Sequence, residues 1–469
     1  MQSLPKSLTM RLRSGIAPHL AVLIGVMAPS LMVGMDHHMV GVALPNVRAS
    51  FGLDADMVAW ASMIYSLPFM TLMPLYGRLG DELGKRRLLL FGITVFLLGT
   101  AILLLAPTLT WYMIGRATQG IGTAGFVPLS IALIAQWFAP SERGKVMGTW
   151  NSIVPLSGLI FPYFGGLLVD AFGWRAIYPL IACVGVIALV VVQYSIPNPG
   201  AHQVTPGVLR RFDWVGVGLL SGALVALLFF TSSRPITGVE GLRDWRLLAV
   251  CLLLMALFIG WERRRVNPYM NLSVFSNRTF TAASFCAGLR MFIMSSSSFL
   301  MPLYLTDIHG LKASAVGIAL ALQAGMLFVT SQAGGQVADR WGSRWPVVIS
   351  MGGMVGILIL LALAEAATPV WWLYTLAGAH GLTIGLSLAP LHRSSMQEVA
   401  EQEAGAAAGL YSMIRFAGQI LGVAVAGVVL QQQLLQVATP VQAYQFVLWL
   451  YVGVGLLATL LGTLIREQA

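Results

Sequence analysis

Runs of about twenty apolar residues, separated by short stretches rich in Pro, Gly or charge, organise almost the whole chain. A bilayer core takes roughly 20 apolar residues per helix. A barrel would need alternating segments of about ten, and the runs do not alternate. The pattern predicts fourteen spanning helices. The first eight cover 19–44, 55–76, 87–106, 109–134, 146–169, 174–196, 213–231 and 245–262. The last six cover 279–303, 314–334, 345–364, 369–391, 405–430 and 443–465. The longest connections, near 197–212 and 232–244, carry Pro, Gly and charge and read as loops. The predicted fold class is all-α integral membrane, without a soluble domain.

Composition strengthens this reading. The 469 residues are 57% hydrophobic and only 10% charged, with mean hydropathy +0.79. Soluble domains carry about 25% charged residues. A polar surface cannot be built from so little charge, so the lipid bilayer is the expected surrounding. The net charge of +10 does not point to nucleic acid, because the bases lie in loops between apolar runs. There they act as topology signals. With the N-terminus inside, nineteen of the 28 Lys and Arg fall on the cytoplasmic side, six outside and three within spans. Both termini are therefore expected in the cytoplasm, and the protein in the inner (plasma) membrane as a multi-pass chain. Cys183, Cys251 and Cys286 sit inside apolar runs and read as packing residues rather than disulfide partners.

One polar stretch occurs twice. "GRLGDELGKRR" follows the second predicted span, and "GQVADRWGSR" follows the tenth. Gly77, Asp81, Gly84 and Arg86 match Gly335, Asp339, Gly342 and Arg344 at one constant offset of 258. Such a repeat argues for two related halves. Eight spans separate the copies where two six-helix halves would need six, so two extra helices are placed between the halves. The predicted division is 1–196, an N-terminal six-helix half; 197–277, a linker with spans 213–231 and 245–262; and 278–469, a C-terminal six-helix half. The glycines suit tight turns and close helix approach. The acids can accept hydrogen bonds from a helix N-terminus or pair with a base. Simple anchoring by positive charge is the alternative for this loop.

Charges within spans are functional suspects because they are costly in lipid. Asp36 lies roughly 12 Å and Arg116 roughly 10 Å from the outer side at 1.5 Å per residue, so they sit at similar depth on different helices. They are expected to pair directly or through water, either as a proton site or as a static ion pair. Burial and a neighbouring guanidinium act on a carboxyl in opposite directions, which suits loading and unloading of a proton. His37 and His38 follow Asp36, but consecutive helix positions cannot chelate jointly, so no metal site is expected. His38 is a candidate proton relay or a cavity-lining residue. Arg290 and Arg415 fall near mid-membrane; Arg290 either meets substrate or pairs with a carboxylate, and Arg415 reads as structural. Trp60, Gln119, Trp150, Arg290, Met294 and His380 are the candidate lining of a substrate cavity.

These stretches resemble the signatures of the major facilitator superfamily, in particular its fourteen-helix drug/proton antiporter branch. Gly77, Asp81, Gly84 and Lys85–Arg87 resemble the superfamily's loop signature. "MDHHMVGVALPNV" is similar to the branch's first-helix signature at Asp36 and Ala43-Leu44-Pro45, with His38 in place of Thr and Gly41 in place of Asn. "GRATQGIG" resembles the fourth-helix signature through Arg116, Gln119, Gly120 and Gly122. "FPYFGG" resembles the antiporter signature of the fifth helix at Pro162, Gly165 and Gly166, with Phe161 replacing Gly.

The resemblance implies a major facilitator fold and a proton-coupled exporter of lipophilic or amphipathic compounds working by alternating access. It implies Asp36 as proton carrier, Arg116 as its modulator and the two repeated loops as gates. Its partners would be a small-molecule substrate and protons, with no cofactor, and a monomer is expected. A metabolite permease of the same fold, coupled differently, is the second reading. A membrane enzyme is disfavoured by the lack of a nucleophile–base cluster or metal-ligand spacing.

Overall fold

A computed structural model describes residues 18–197, 213–231, 233–265, 272–397, 399, 404–437 and 439–466. Every element of any length in it is helical. In chain order these are α1 (Pro18–Phe51), α2 (Ala55–Met63), α3 (Ser66–Leu83), α4 (Lys85–Leu105), α5 (Leu109–Thr123), α6 (Phe126–Trp137), α7 (Pro140–Asn151), α8 (Ile153–Phe172) and α9 (Ile177–Ser195). Between the two main groups lie α10 (Trp214–Thr231), the short α11 (Arg234–Thr237) and α12 (Trp245–Glu262). The second group comprises α13 (Arg278–Asp307), α14 (Ala313–Trp341), α15 (Arg344–Ala362), α16 (Val370–Leu386), α17 (Leu388–Met396), α18 (Ala404–Leu434) and α19 (Pro440–Thr463). Helices are the expected answer for backbone in hydrocarbon, since they satisfy their own N–H and C=O groups.

Among the described residues, twelve helices are long and apolar enough to cross a membrane, where the apolar pattern predicts fourteen. The two predicted spans that fall short, 55–76 and 369–391, are each folded as two shorter helices, α2 with α3 and α16 with α17. The same kind of break separates α5 from α6 and α7 from α8. In all four cases a proline occupies the third position after the break: Pro68, Pro128, Pro155 and Pro390. A proline lacks the N–H that would bond the carbonyl four residues earlier, and its ring crowds that carbonyl. Counting back four places reaches Ile64, Ala124, Asn151 and Leu386, which border the breaks. The capping residues at these sites keep right-handed helical angles, so the chain bends there rather than turning back.

The repeated loops share a backbone device. Gly84 ends α3 at φ 91°, and Gly342 ends α14 at φ 74°. Both are in the positive-φ region that side chains with a Cβ rarely adopt. Gly77 and Gly335 also match: an added Cβ would meet Pro128 of α6 at 3.6 Å in one copy and Ala389 of α17 at 3.8 Å in the other. Both are ordinary contacts, so these two glycines are not sterically required. We expect Gly84→Ala to lower stability by about 1–3 kcal/mol through backbone strain, and Gly77→Ala to cost far less. Thermal unfolding of the purified variants checks this; equal midpoints would mean that the Gly84 conformation relaxes freely.

Two seams join the helix group α1–α9 to the group α13–α19. At one, α8 packs along α14; at the other, α2 and α3 meet α18. Five hydrogen bonds to side chains cluster at one end of these seams, the end predicted to be outside. Arg48 donates to Asp307 (2.5 Å), which also accepts from the Tyr444 hydroxyl (2.7 Å). The Ala55 amide donates to Gln431 (2.9 Å). Asp170 accepts from the amides of Ala313 (2.9 Å) and Ser314 (3.0 Å), at the start of α14. A carboxylate at a helix N-terminus is favoured by the dipole and by unbonded amides.

The inserted pair α10 and α12 pack on each other, and α10 lies against both α3 and α18. The connection between them is tied down by Arg234, which reaches Asp54 (2.9 Å) and Asp56 (3.4 Å), and by Gln432 donating to the Gly241 carbonyl (3.3 Å). At the opposite end the buried Asp213 accepts from the Trp261 indole (2.9 Å) and faces Arg265 (3.4 Å). The pair thus covers one seam, while α12 turns Leu252, Leu253 and Leu257 outward.

Candidate functional site

Asp36 and Arg116 meet directly. The Arg116 guanidinium Nη1 donates to Asp36 Oδ2 at 2.8 Å, with the side chains only 1% and 4% exposed. Gln119 closes the unit. Its carbonyl oxygen accepts from Arg116 (2.7 Å), and its amide donates to Asp36 Oδ1 (3.1 Å) and to the Thr100 hydroxyl (2.9 Å). The Arg116 guanidinium also lies 4.7 Å from the centre of the Tyr65 ring, a cation–π placement. Both carboxylate oxygens of Asp36 therefore have protein donors, as a buried charge requires.

Glycines bring this unit together. A Cβ at Gly120 would fall 2.1 Å from the Tyr65 carbonyl oxygen, and one at Gly122 would fall 2.4 Å from that of Gly92. These contacts set α5 hard against the α2–α3 break and against α4, which carries Thr100. Arg116 and Gln119 lie one helical turn apart and so face the same way. The "GRATQGIG" stretch thus joins two tasks: its small residues give close approach, and its polar residues hold Asp36.

The antiporter-like stretch of α8 acts at the seam. A Cβ at Gly165 would touch Met39 of α1 at 2.9 Å. One at Gly166 would lie 2.5 Å from both the Ala313 carbonyl oxygen and Ser314 Cα of α14. Gly317 of α14 reciprocates, since its Cβ would lie 2.4 Å from the Pro162 carbonyl oxygen. His38 leaves the Asp36 unit and points to the same helix, with Nε2 3.3 Å from the Val154 carbonyl and its ring against Gly158.

The two loop acids differ in what can be described. The Asp81 side chain lies outside the described residues. Asp339 is paired with Arg393 of α17 at 2.8 Å, and Arg393 also donates to the Ala338 carbonyl at 2.9 Å. Arg86 donates to the Gln193 carbonyl of α9. Arg344 sits 5.8 Å from the Trp345 ring centre.

The six residues proposed for a cavity are not gathered in one place. Trp60 packs on Phe229 of α10, 5.5 Å between ring centres. Trp150 donates to Ser30 of α1 (2.9 Å). Gln119 is fully buried in the Asp36 unit. His380 pairs with Gln323 of α14 (3.0 Å). Arg290 is buried in the second group, and Met294 is half-buried one turn further along α13. A small apolar cleft lies elsewhere, between α3, α10 and α18, lined by Leu67, Met70, Leu224, Leu228, Ile420 and Leu421. None of the six lines it.

Several residues escaped the sequence reading. Asp170, Arg48 and Asp307 join the two groups, yet their partners lie 143 or 259 positions away. Asp170 does follow the "FPYFGG" stretch closely, which was the available hint. Among the described residues no group of three or more His, Cys, Asp or Glu could hold a metal ion.

The helical arrangement has counterparts of known structure. A bacterial homologue of the human lysosomal transporter Spinster, in its inward-facing and occupied conformation, superposes with a TM-score of 0.68 over 96% of this chain and 97% of its own, at 15% identity. A peptide transporter, POT, in complex with sulfate, gives 0.69 over 96% of both chains at 14% identity. Curated relatives are closer in sequence. Multidrug resistance protein 3 of Bacillus subtilis is 27% identical over 87% of this chain and 79% of its own. The tetracenomycin C resistance and export protein of Streptomyces glaucescens is 29% identical over 88% and 75%. The family model described as Major Facilitator Superfamily matches residues 27–282 and again 283–468. The second match begins within α13, the first helix of the second group, so the same model covers both groups in turn, and the chain belongs to the Major Facilitator Superfamily.

Proposed function

We propose that this protein is a proton-coupled exporter of lipophilic or amphipathic small molecules, with Asp36 as the proton carrier and Arg116 and Gln119 as the groups that tune it. The observation that carries this reading is the fully buried Asp36–Arg116–Gln119 unit. A charged unit inside a spanning segment is costly and is usually kept for ion or substrate coupling. Relatives named for multidrug resistance and for export of tetracenomycin C support an efflux role.

In this reading the chain crosses the membrane fourteen times, with α2–α3 and α16–α17 each forming one bent span. Both termini lie in the cytoplasm, in accord with the Lys and Arg distribution. Residues 1–196 and 278–469 form the two rocking halves, with 197–277 as an inserted linker. One chain supplies both halves, so a monomer suffices. The cluster of Arg48, Asp170 and Asp307 holds the outer side closed, and the loops at Gly77–Arg87 and Gly335–Arg344 serve closure on the inner side. Binding of substrate and proton must differ between the two states for transport to be driven.

The test is flux of a lipophilic dye in proteoliposomes holding the purified protein, with an imposed pH gradient. Accumulation should follow the gradient and collapse with a protonophore. Accumulation that ignores the protonophore would remove the proton coupling and favour a permease of the same fold.

A further inference from the structure

Arg290 and Arg415, both well inside helices of the second group, have no ion pair with a carboxylate among the described residues. Arg290 of α13 is 2% exposed and is among the largest fully buried side chains. Its Nη1 donates to the Ile384 carbonyl of α16 at 3.3 Å, and its Nη2 contacts the Met291 sulfur at 3.5 Å. Its Nε is buried and unmatched. Arg415 of α18 is close enough for its charge to act on Arg290. Its Nε is also buried and unmatched, and its guanidinium lies 5.6 Å from the ring centre of the buried Tyr411. The His392 ring of α17 lies 5.4 Å from the Tyr411 ring centre in a tilted arrangement. No Asp or Glu among the described residues forms an ion pair with either arginine. Arg116 also leaves its Nε unmatched, but it has Asp36 and Gln119 as partners.

Close packing fixes the pair. A Cβ at Gly288 would meet Ile414 at 2.8 Å, and one at Gly418 would lie 2.1 Å from the Gly288 carbonyl oxygen. The backbones of α13 and α18 therefore touch near the level of the two arginines. A guanidinium keeps its charge at physiological pH. Leaving the buried Arg290 charge uncompensated is strongly destabilising, and the like charge of the part-buried Arg415 adds to the cost. Two forked donors with unused N–H groups are what a planar or tetrahedral oxyanion accepts.

We infer that Arg290 and Arg415 form a binding site for the anionic group, carboxylate or phosphate, of an amphipathic substrate. This inference rests on the transport reading above and names the substrate class within it. The surroundings fit such a molecule: Phe292, Met294, Met413 and Phe416 flank the arginines in sequence and are all part-buried. Phe416 reaches across the seam to Phe69 of α3, 5.3 Å between ring centres. An anion on the arginines would thus place its apolar body towards the first helix group, where the two groups must move relative to each other.

The test uses three probes with one apolar body: pyrenebutyric acid, pyrenebutanol and a pyrenebutyl trimethylammonium salt. Binding to the purified, full-length protein is read by fluorescence polarisation. The acid should bind roughly ten- to a hundredfold tighter than the alcohol, the range of one charged hydrogen-bond pair, and the cation weakest. Arg290→Gln and Arg415→Gln should each reduce that preference, while Arg290→Lys should keep part of it. Equal binding of acid and alcohol by the unaltered protein would overturn the site without reliance on any variant. So would a preference that survives in monodisperse Arg415→Gln. Inorganic phosphate is the further arm: if it occupies the site at millimolar concentration and the acid does not displace it, the arginines hold a resident anion and the substrate assignment falls. Flux is measured separately in proteoliposomes. Tight, arginine-dependent binding of the acid with no flux of any probe would count against the transport reading while leaving the anion site standing.

Discussion

Asp36→Asn is expected to abolish gradient-driven accumulation while leaving substrate binding and exchange measurable. The geometry explains why the change is severe. The Asp36 carboxylate only accepts, and it takes hydrogen bonds from Arg116 at Oδ2 and Gln119 at Oδ1. An asparagine side chain offers one acceptor and one NH2 group. Whichever way it turns, an N–H faces an N–H, and the Arg116 charge loses its counter-ion. If the pair is merely structural, this change costs roughly 3–5 kcal/mol and shows as poor folding, with transport per folded molecule intact. If Asp36 carries the proton, the folded variant accumulates nothing against a set pH gradient yet still exchanges substrate for substrate. Asp36→Glu should retain coupling with a displaced pH profile, because the longer arm reaches the same partners at a different depth. Transport assays on monodisperse protein, with thermal unfolding alongside, separate the cases. Full gradient-driven accumulation by Asp36→Asn would take Asp36 out of the proton path.

The parts of this site legible in the sequence are those set by helical period and depth. Asp36 and Arg116 are expected together because each lies a similar number of residues from the predicted outer face, and the structure joins them at 2.8 Å. The repeated glycines were legible as turn positions, and Gly84 and Gly342 both take positive φ. In sequence Gln119 reads as cavity lining; its spacing from Arg116 puts both on one face of α5, but spacing does not say that this face meets Asp36. Its link to Asp36 depends on α1, 83 positions away. The breaks at Ile64–Tyr65 and Ser387 are hidden in the sequence, because an apolar run continues through them. Only the proline at the third position betrays them, and elsewhere the chain accommodates Pro29 and Pro45 inside the unbroken α1. The Arg290–Arg415 centre was half legible. Both charges were visible, but whether a carboxylate meets them is a tertiary fact.

Gly166→Leu is expected to disable alternation by prising open the α8–α14 seam. The added Cβ would fall 2.5 Å from the Ala313 carbonyl oxygen and from Ser314 Cα. Both are backbone atoms at the start of α14, and neither can swing aside as a flexible side chain would. Either helix must shift, which for overpacking costs about 1–3 kcal/mol. The cost is confined to the state in which α8 and α14 touch, so it biases the equilibrium rather than weakening both states alike. At about 2 kcal/mol the closed arrangement loses roughly thirtyfold in population. The same displacement pulls Asp170 from the Ala313 and Ser314 amides and so removes a polar latch as well. Gly317→Leu should act alike, since its Cβ meets the Pro162 carbonyl from the opposite side. Gly352→Leu is the control, with nothing within 4 Å of an added Cβ. The measurement is labelling of Val316→Cys, fully buried in the unaltered protein, by a membrane-impermeant maleimide applied from outside. The exposed Cys183 is first replaced by serine. Labelling should accelerate with either seam substitution and not with the control, while turnover falls. Unchanged labelling in a folded Gly166→Leu protein would show that this seam is not the outer gate.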